Sequence, residues 1–207
     1  MNWLAHTLLS SNHIEHQLGN ILADPMKCKP WHGIPYRMRD GMQTHMLIDT
    51  FTDSHPLVKE SKALIPINGY FKGVVLDVLY DYFLSQHWNI YVTIPKDDFL
   101  DTFHTQAYEY IQNNPLPHKA KNVIRKVINN KQLSSYSSLD GVQAAFRRID
   151  ARLSPRAIQK DNTTNYLPYI IEHKSSLEDK FLEFFPLLQQ HIKEHLKNKT
   201  PHYWDIL

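Results

Sequence analysis

The chain is short of cysteine and of glycine, and each shortage removes a class of protein. Cys28 stands alone among 207 residues, so no disulfide can close within the chain and no cysteine-rich zinc site can be built. Six glycines fall well below the roughly 7% of average proteins, which disfavours a turn-rich sandwich and a glycine-loop nucleotide site. Long apolar runs are missing as well: none approaches the ~18–20 residues of a membrane span. Charge of one sign is missing too. A formal net charge of +2 is too small to mark a nucleic-acid binder, and the basic residues are scattered among acids without a reader motif. The opening MNWLAHTLLSSNHIEH lacks a basic n-region and a small-residue cleavage site, so it does not read as a signal peptide and is expected to join the fold. These features are compatible with a reducing cytoplasm, the expected location.

What remains is the composition of a globular domain, 42% hydrophobic and 21% charged, long enough for one core of its own. No repeat, low-complexity tract or linker interrupts residues 1–207. The period of the apolar residues is helical nearly throughout. SSLEDKFLEFFPLLQQHIKEHL (175–196) places Leu177, Phe181, Phe184, Phe185, Leu188, Ile192 and Leu196 on one face. Ser175 with Glu178 has capping-box spacing, and Pro186 is expected to bend the helix. DDFLDTFHTQAYEYIQ (97–112) reads as a helix opened by Asp97 or Asp98, and residues 69–88 as a long apolar one. Further helices are expected near 12–23, 36–50, 117–130, 138–151 and 163–173. WNIYVTIP (88–95) has strand-like residues but no evident partner and reads as a loop. The expectation is an all-α, single-domain multi-helix bundle.

The chemistry concentrates in the first half. In GMQTHMLIDTFTDSHP (41–56), His45 and Asp49 fall one turn apart on the same helix face, with Asp53 next in line if the helix continues. Asp77 and Asp81 repeat that spacing on another apolar helix, and His6 and Asp24 add to the density. A carboxylate buried on such a face is costly unless it is paired, hydrogen-bonded or bound to a metal. Mixed imidazole and carboxylate ligands suit Mn²⁺, Fe²⁺ or Zn²⁺, and oxygen-only sets suit Mg²⁺ or Ca²⁺. Ligands from several helices facing a bundle core are a known way to build such a centre. Taken singly, each Asp has a plainer explanation as a surface residue or a partner of a nearby base. The spacing matches neither HExxH nor a Cys/His finger, and no adjacent His-Asp pair of the HD phosphohydrolases is present.

MNWLAH (1–6), GNILAD (19–24), GMQTHMLIDTFTDSHP (41–56) and LDVLYDYFLSQHW (76–88) together resemble the bacterial acyl carrier protein phosphodiesterases, non-canonical relatives of the HD-type phosphohydrolases. GVQAAFRRIDARL (141–153) and LEDKFLEFFP (177–186) extend the likeness more weakly. Two places depart from the family pattern: Met46 and Leu47 stand where a basic residue usually follows the histidine, and Tyr82 follows Asp81 where Asp-His is common. The resemblance implies an HD-phosphohydrolase-like helical fold. It also implies hydrolysis of the phosphodiester joining 4′-phosphopantetheine to a serine of holo-acyl carrier protein, with a divalent metal, Mn²⁺ foremost and Mg²⁺ or Fe²⁺ as alternatives. On that basis Asp24, His45, Asp49 and Asp77 are the leading metal-ligand candidates. His6 and Asp81 follow, as ligands or as groups that orient them, which makes His6, His45, Asp49 and Asp81 the candidate catalytic set. Asp53 is less secure, because Thr52-Asp53-Ser54 also reads as a helix end. His55 and His87 are possible general acids for the leaving serine oxygen.

An acidic carrier protein calls for a basic face near the site. Arg37, Arg39 and Lys72 are the candidate substrate-binding residues, with Lys59 and Lys62 also near in sequence. Lys119, Lys121, Arg125 and Lys126 in PHKAKNVIRKVINNK, and Arg147, Arg148, Arg152 and Arg156, form two further groups. The competing readings are an HD-like hydrolase of a nucleotide or other small phosphoester, and a helical binding protein whose Asp and His are structural. No membrane and no nucleic-acid partner is expected.

Overall fold

The structure is a computed structural model that describes residues 1–65, 69–130 and 132–204. As expected, it is all-helical; among the described residues the one β feature is an isolated antiparallel bridge between Val92 and Trp204. The core is built on the longest helix, α12 (Lys174–Leu196), which runs through Pro186 and buries all seven residues of the expected apolar face. Phe181 and Phe185 on it stack at 5.2 Å, and meet Tyr80 and Phe83 of α5 (Lys72–Gln86) and Tyr91 of the short α6 (Trp88–Tyr91). Each such ring pair adds about 0.5–1.5 kcal/mol beyond the burial of its area.

The other half of the molecule is set by a helix crossing. α2 (Ile14–Leu22) and α3 (Tyr36–Ser54) lie backbone against backbone: a methyl group on Gly19 would overlap the Met38 carbonyl, and one on Gly41 the His16 carbonyl. Two of the six glycines are thus spent on this contact, which brings the C-terminal end of α2 beside the middle of α3. α3 runs past the expected end at residue 50 to Ser54 and turns sharply into α4 (Pro56–Leu64), with Pro56 in the first turn, where a missing N–H costs nothing. His55 closes the elbow by accepting a hydrogen bond from the Leu57 N–H. α1 (Trp3–Leu8) packs against α2 and α5, so the N-terminal segment does belong to the fold.

α7 (Lys96–Asn113), α8 (His118–Asn129) and α9 (Leu139–Asp150) lie close to their expected positions. Four details differ. Residues 88–91 form a helical turn, and Val92 and Thr93 pair with the C-terminal tail, a partner more than a hundred residues away. The expected helix 163–173 is a 3₁₀ turn over 163–166 followed by α11 (Leu167–Glu172), preceded by a further short helix, α10 (Pro155–Lys160). α7 is capped at Pro95, which leaves Asp97 and Asp98 inside its first turn, where they complement the helix dipole. α12 begins at Lys174 without a capping box, because Glu178 is spent on His87 and Lys174.

Candidate metal centre

Four segments converge where α1, α3 and α5 meet the end of α2. α1 carries His6, Asp24 follows α2, α3 carries His45 and Asp49, and α5 carries Asp77. The imidazoles of His6 and His45 stack with centroids 4.1 Å apart. His6 Nε2 lies 3.2 Å from Asp49 Oδ1; His45 Nε2 lies 3.0 Å from Asp49 Oδ2 and 3.2 Å from Asp24 Oδ1. One nitrogen of each ring and one oxygen of Asp49 all fall within 4.8 Å of one another. Asp77 Oδ1 accepts from the Met1 amino group at 2.8 Å, and the same nitrogen is 3.9 Å from Asp49 Oδ1. Met1, Asp24, Asp49, Thr52, Asp53 and Asp77 line a hollow of about 90 Å³ here.

The protons behind His6 can be traced from a fixed point. The His6 carbonyl can only accept, so the Ser10 hydroxyl donates to it at 2.9 Å. Ser10 Oγ therefore accepts from Asn20 Nδ2 at 2.9 Å, which leaves Asn20 Oδ1 to accept from His6 Nδ1–H at 2.8 Å. In the neutral ring this leaves the Nε2 lone pair facing two oxygens, Asp49 Oδ1 and the Met1 carbonyl at 3.1 Å. Burial holds the His6 pKa below its usual value despite Asp49 beside it. A lone pair facing two oxygen acceptors is unfavourable unless a cation lies among them or the ring takes up a proton.

His45 makes the same demand. Burial would lower its pKa, but contacts with Asp24 and Asp49 outweigh that and raise it to about 9. Burial would raise the Asp49 carboxyl, yet His45 and His6 hold it well below the usual carboxylate range. The Met1 amino group is likewise raised: burial opposes its charge and Asp77 and Asp49 overcome it. Neither ring nitrogen of His45 makes a well-aligned hydrogen bond, although both are buried. Neighbouring ligands around a first-row cation, with bonds of about 2.0–2.2 Å, stand roughly 3 Å apart. The nitrogen and oxygen donors here have that spacing, and two imidazoles with carboxylates suit Mn²⁺, Fe²⁺ or Zn²⁺. The residues present fit such an ion.

The other candidates are placed elsewhere. Asp81 is fully buried, and its two oxygens accept the Leu4 and Ala5 N–H groups at 2.8 and 3.1 Å. It tethers the first turn of α1, and with it His6, and burial raises its pKa to about 7. Asp53 continues the α3 stripe to the rim of the hollow, where it pairs with Lys62 at 3.0 Å. Arg37 precedes His45 by eight residues, about 12 Å along the helix; it lies over the Tyr36 ring and lines a different hollow with His16 and Asp40. Arg39 is exposed, and Lys72 donates to the Lys62 carbonyl. His55 serves its cap, and His87 Nε2 is bonded to Glu178 at 2.7 Å. Tyr82 lies beneath the Lys174 ammonium at 5.8 Å, away from the hollow. Lys119, Arg125 and Lys126 are exposed on α8, as are Arg147 on α9 and Arg152 and Arg156 beyond it; Lys131 lies outside the described residues.

Asn20, Ser10 and Thr52 are site residues that periodicity does not reveal. Thr52 is the most telling, since its buried hydroxyl lines the hollow without a partner. The one signal for Asn20 is its place four residues before Asp24, on the helix face that α3 covers.

Fold and site thus define an all-helical protein in which two histidines and an aspartate stand close enough together to be candidate cation ligands. The chain belongs to the acyl carrier protein phosphodiesterase family, whose model matches residues 1–188. A relative of that name from Yersinia pestis is 30% identical over 195 residues, spanning 92% of this chain and 96% of its own. Another from Enterobacter sp. (strain 638) is 28% identical over 195 residues, covering 93% and 98%. No solved structure matches, so the expected likeness to HD-type folds has no structural counterpart to compare.

Proposed function

We propose that this protein is a metal-dependent phosphodiesterase that cleaves the 4′-phosphopantetheine–serine phosphodiester of holo-acyl carrier protein. The observation that supports this most is the contact of His6 and His45 with Asp49, and of His45 with Asp24, beside a hollow that Asp24, Asp49 and Asp77 line, in a chain of that family. Those five side chains would hold the cation. When bound, it supplies a Lewis acid that neutralises the phosphodiester and makes a water nucleophilic near neutral pH. The chain's own part is to keep that geometry fixed. Asn20 holds His6 in the tautomer that presents Nε2, and Asp81 fixes the turn that carries it. Thr52 Oγ1 is free to donate to a phosphoryl oxygen at the hollow. Water oxygen bonds to phosphorus as the serine oxygen leaves and takes up a proton, giving apo-carrier protein and free 4′-phosphopantetheine.

The test is incubation of holo-carrier protein with the Mn²⁺-loaded enzyme, with mass spectrometry of both products. Stoichiometric loss of the prosthetic arm from the carrier is the expected result. Turnover of nucleotides or generic phosphoesters with an intact holo-carrier would assign the centre to small substrates instead.

A further inference from the structure

A second hollow of about 90 Å³ is lined in part by the chain neighbours of residues that line the first. Met1 and Asp77 line the acidic one, and the next residues along each segment, Asn2, Trp3 and Val78, line this one. Trp3, Val78, Ala145 and Ile149 give it apolar walls, and Arg148 and Arg152 border it. Gln132 is 6% exposed and lines the hollow, yet its Oε1 has no hydrogen-bond partner. A buried amide oxygen left without a donor is costly, because it has given up its water partners without replacement. The Tyr136 hydroxyl beside it is already faced by the side chains of Asn2 and Arg148. The place therefore offers apolar walls, an acceptor in want of a donor, and cationic donors at the edge.

We infer that this hollow receives the part of the pantetheine arm next to the phosphate. This rests on the proposed reaction and names where its substrate lies. In that part of the arm a carbon bearing two methyl groups is followed by a hydroxyl and then an amide. The methyls match the walls, the hydroxyl or amide N–H matches Gln132 Oε1, and the amide carbonyl matches an arginine. The hollow has room for such a branched fragment, not for the whole arm, whose thiol end would pass out by Arg152. With the fragment seated, the phosphate one carbon away would be directed past Asn2 and Val78 toward Met1 and Asp77, their neighbours in the chain, on the side of the acidic hollow.

The test uses the full-length protein with D-pantetheine, which carries no phosphate and needs no metal, titrated by NMR or calorimetry. Wild type is expected to bind it, and Gln132→Leu to weaken binding roughly tenfold or more, with Gln132→Glu, which keeps an acceptor, closer to wild type. Arg152→Ala, at an exposed position, repeats the measurement should Gln132→Leu fail to fold; a several-fold loss is expected. In the Mn²⁺-loaded enzyme, the ratio of kcat/KM for holo-carrier protein to that for bis(4-nitrophenyl) phosphate should fall at least tenfold in Gln132→Leu. No pantetheine binding to wild type, or binding and a substrate ratio unchanged in both variants, would overturn the inference. Pantetheine binding that depends on Gln132, without hydrolysis of holo-carrier protein, would retain this site and reject the proposed reaction.

Discussion

His6 illustrates how much a residue can depend on a neighbour that carries no chemistry of its own. Its ring is oriented by Asn20, whose amide is oriented by Ser10, which is oriented by a backbone carbonyl. Partners of this kind typically change metal affinity 10–100-fold when removed. Asn20→Leu is accordingly expected to weaken Mn²⁺ binding by one to two orders of magnitude, and Asn20→Asp, which keeps the acceptor, to recover most of it. Calorimetric titration of the two variants measures the difference. At this scale the sequence shows which residues have ligand chemistry but not which groups orient them. The four-residue repeat of His45 and Asp49 is legible because one helix carries both, whereas the link from Asn20 to His6 crosses from one helix to another. Asp81 shares the stripe spacing with Asp77 and yet points its carboxylate at backbone, because side chains four apart on a helix need not share a partner.

Between elements, the crossing of α2 and α3 decides where the centre forms. Gly41→Ala would drive a methyl into the His16 carbonyl, and overpacking against backbone costs about 2 kcal/mol or more. A chemical denaturation curve should show that loss in the midpoint at unchanged slope. The same crossing carries a buried neutral histidine. His16 Nδ1 accepts from the Ser11 N–H, so Nε2–H donates to Thr44 Oγ1, which donates to the Asp40 carbonyl. Burial lowers the His16 pKa to about 4, although Asp40 works against it. A depressed folded pKa means that the unfolded chain takes up the proton first. This contribution is therefore whole above about pH 6.5 and is lost as the pH falls toward 4, on the order of 3 kcal/mol in all. A pH series of unfolding free energies should slope downward on acidification in the wild type, and less so in His16→Gln. Element identities were largely legible here, since α12 and α7 follow their apolar period. The loss of the Ser175–Glu178 cap was not, because His87, at the junction of α5 and α6 and distant in sequence, takes Glu178 as its partner.

For the whole molecule, the proposed reaction on an acidic carrier protein calls for a basic face near the site. Arg147, Arg152 and Arg156 stand exposed on and after α9; Arg152 itself borders the second hollow and the other two are close to it in sequence, whereas Arg37 lines a different hollow. With a net charge of only +2, attraction must be local, and local attraction is screened beyond about 8–10 Å at physiological salt. Raising the salt from low to moderate concentration should lower the apparent affinity for carrier protein several-fold, with charge reversal at Arg152 and Arg156 flattening the dependence. Surface plasmon resonance across a salt series measures both, and salt-insensitive binding would remove the basic face from the account. Which of the basic groups neighbour the site could not be read from order along the chain, because proximity in sequence to His45 and proximity in space to its hollow are different things.

The most direct test of the centre itself is a Mn²⁺ titration of the metal-free protein, followed by calorimetry or electron paramagnetic resonance, for the wild type and Asp49→Ala. Asp49 touches both histidines, so saturable binding is expected in the wild type and is abolished by this one substitution, while the circular dichroism spectrum keeps its helical shape. Binding by Asp49→Ala equal to that of the wild type, or no saturable binding by either, would contradict that expectation.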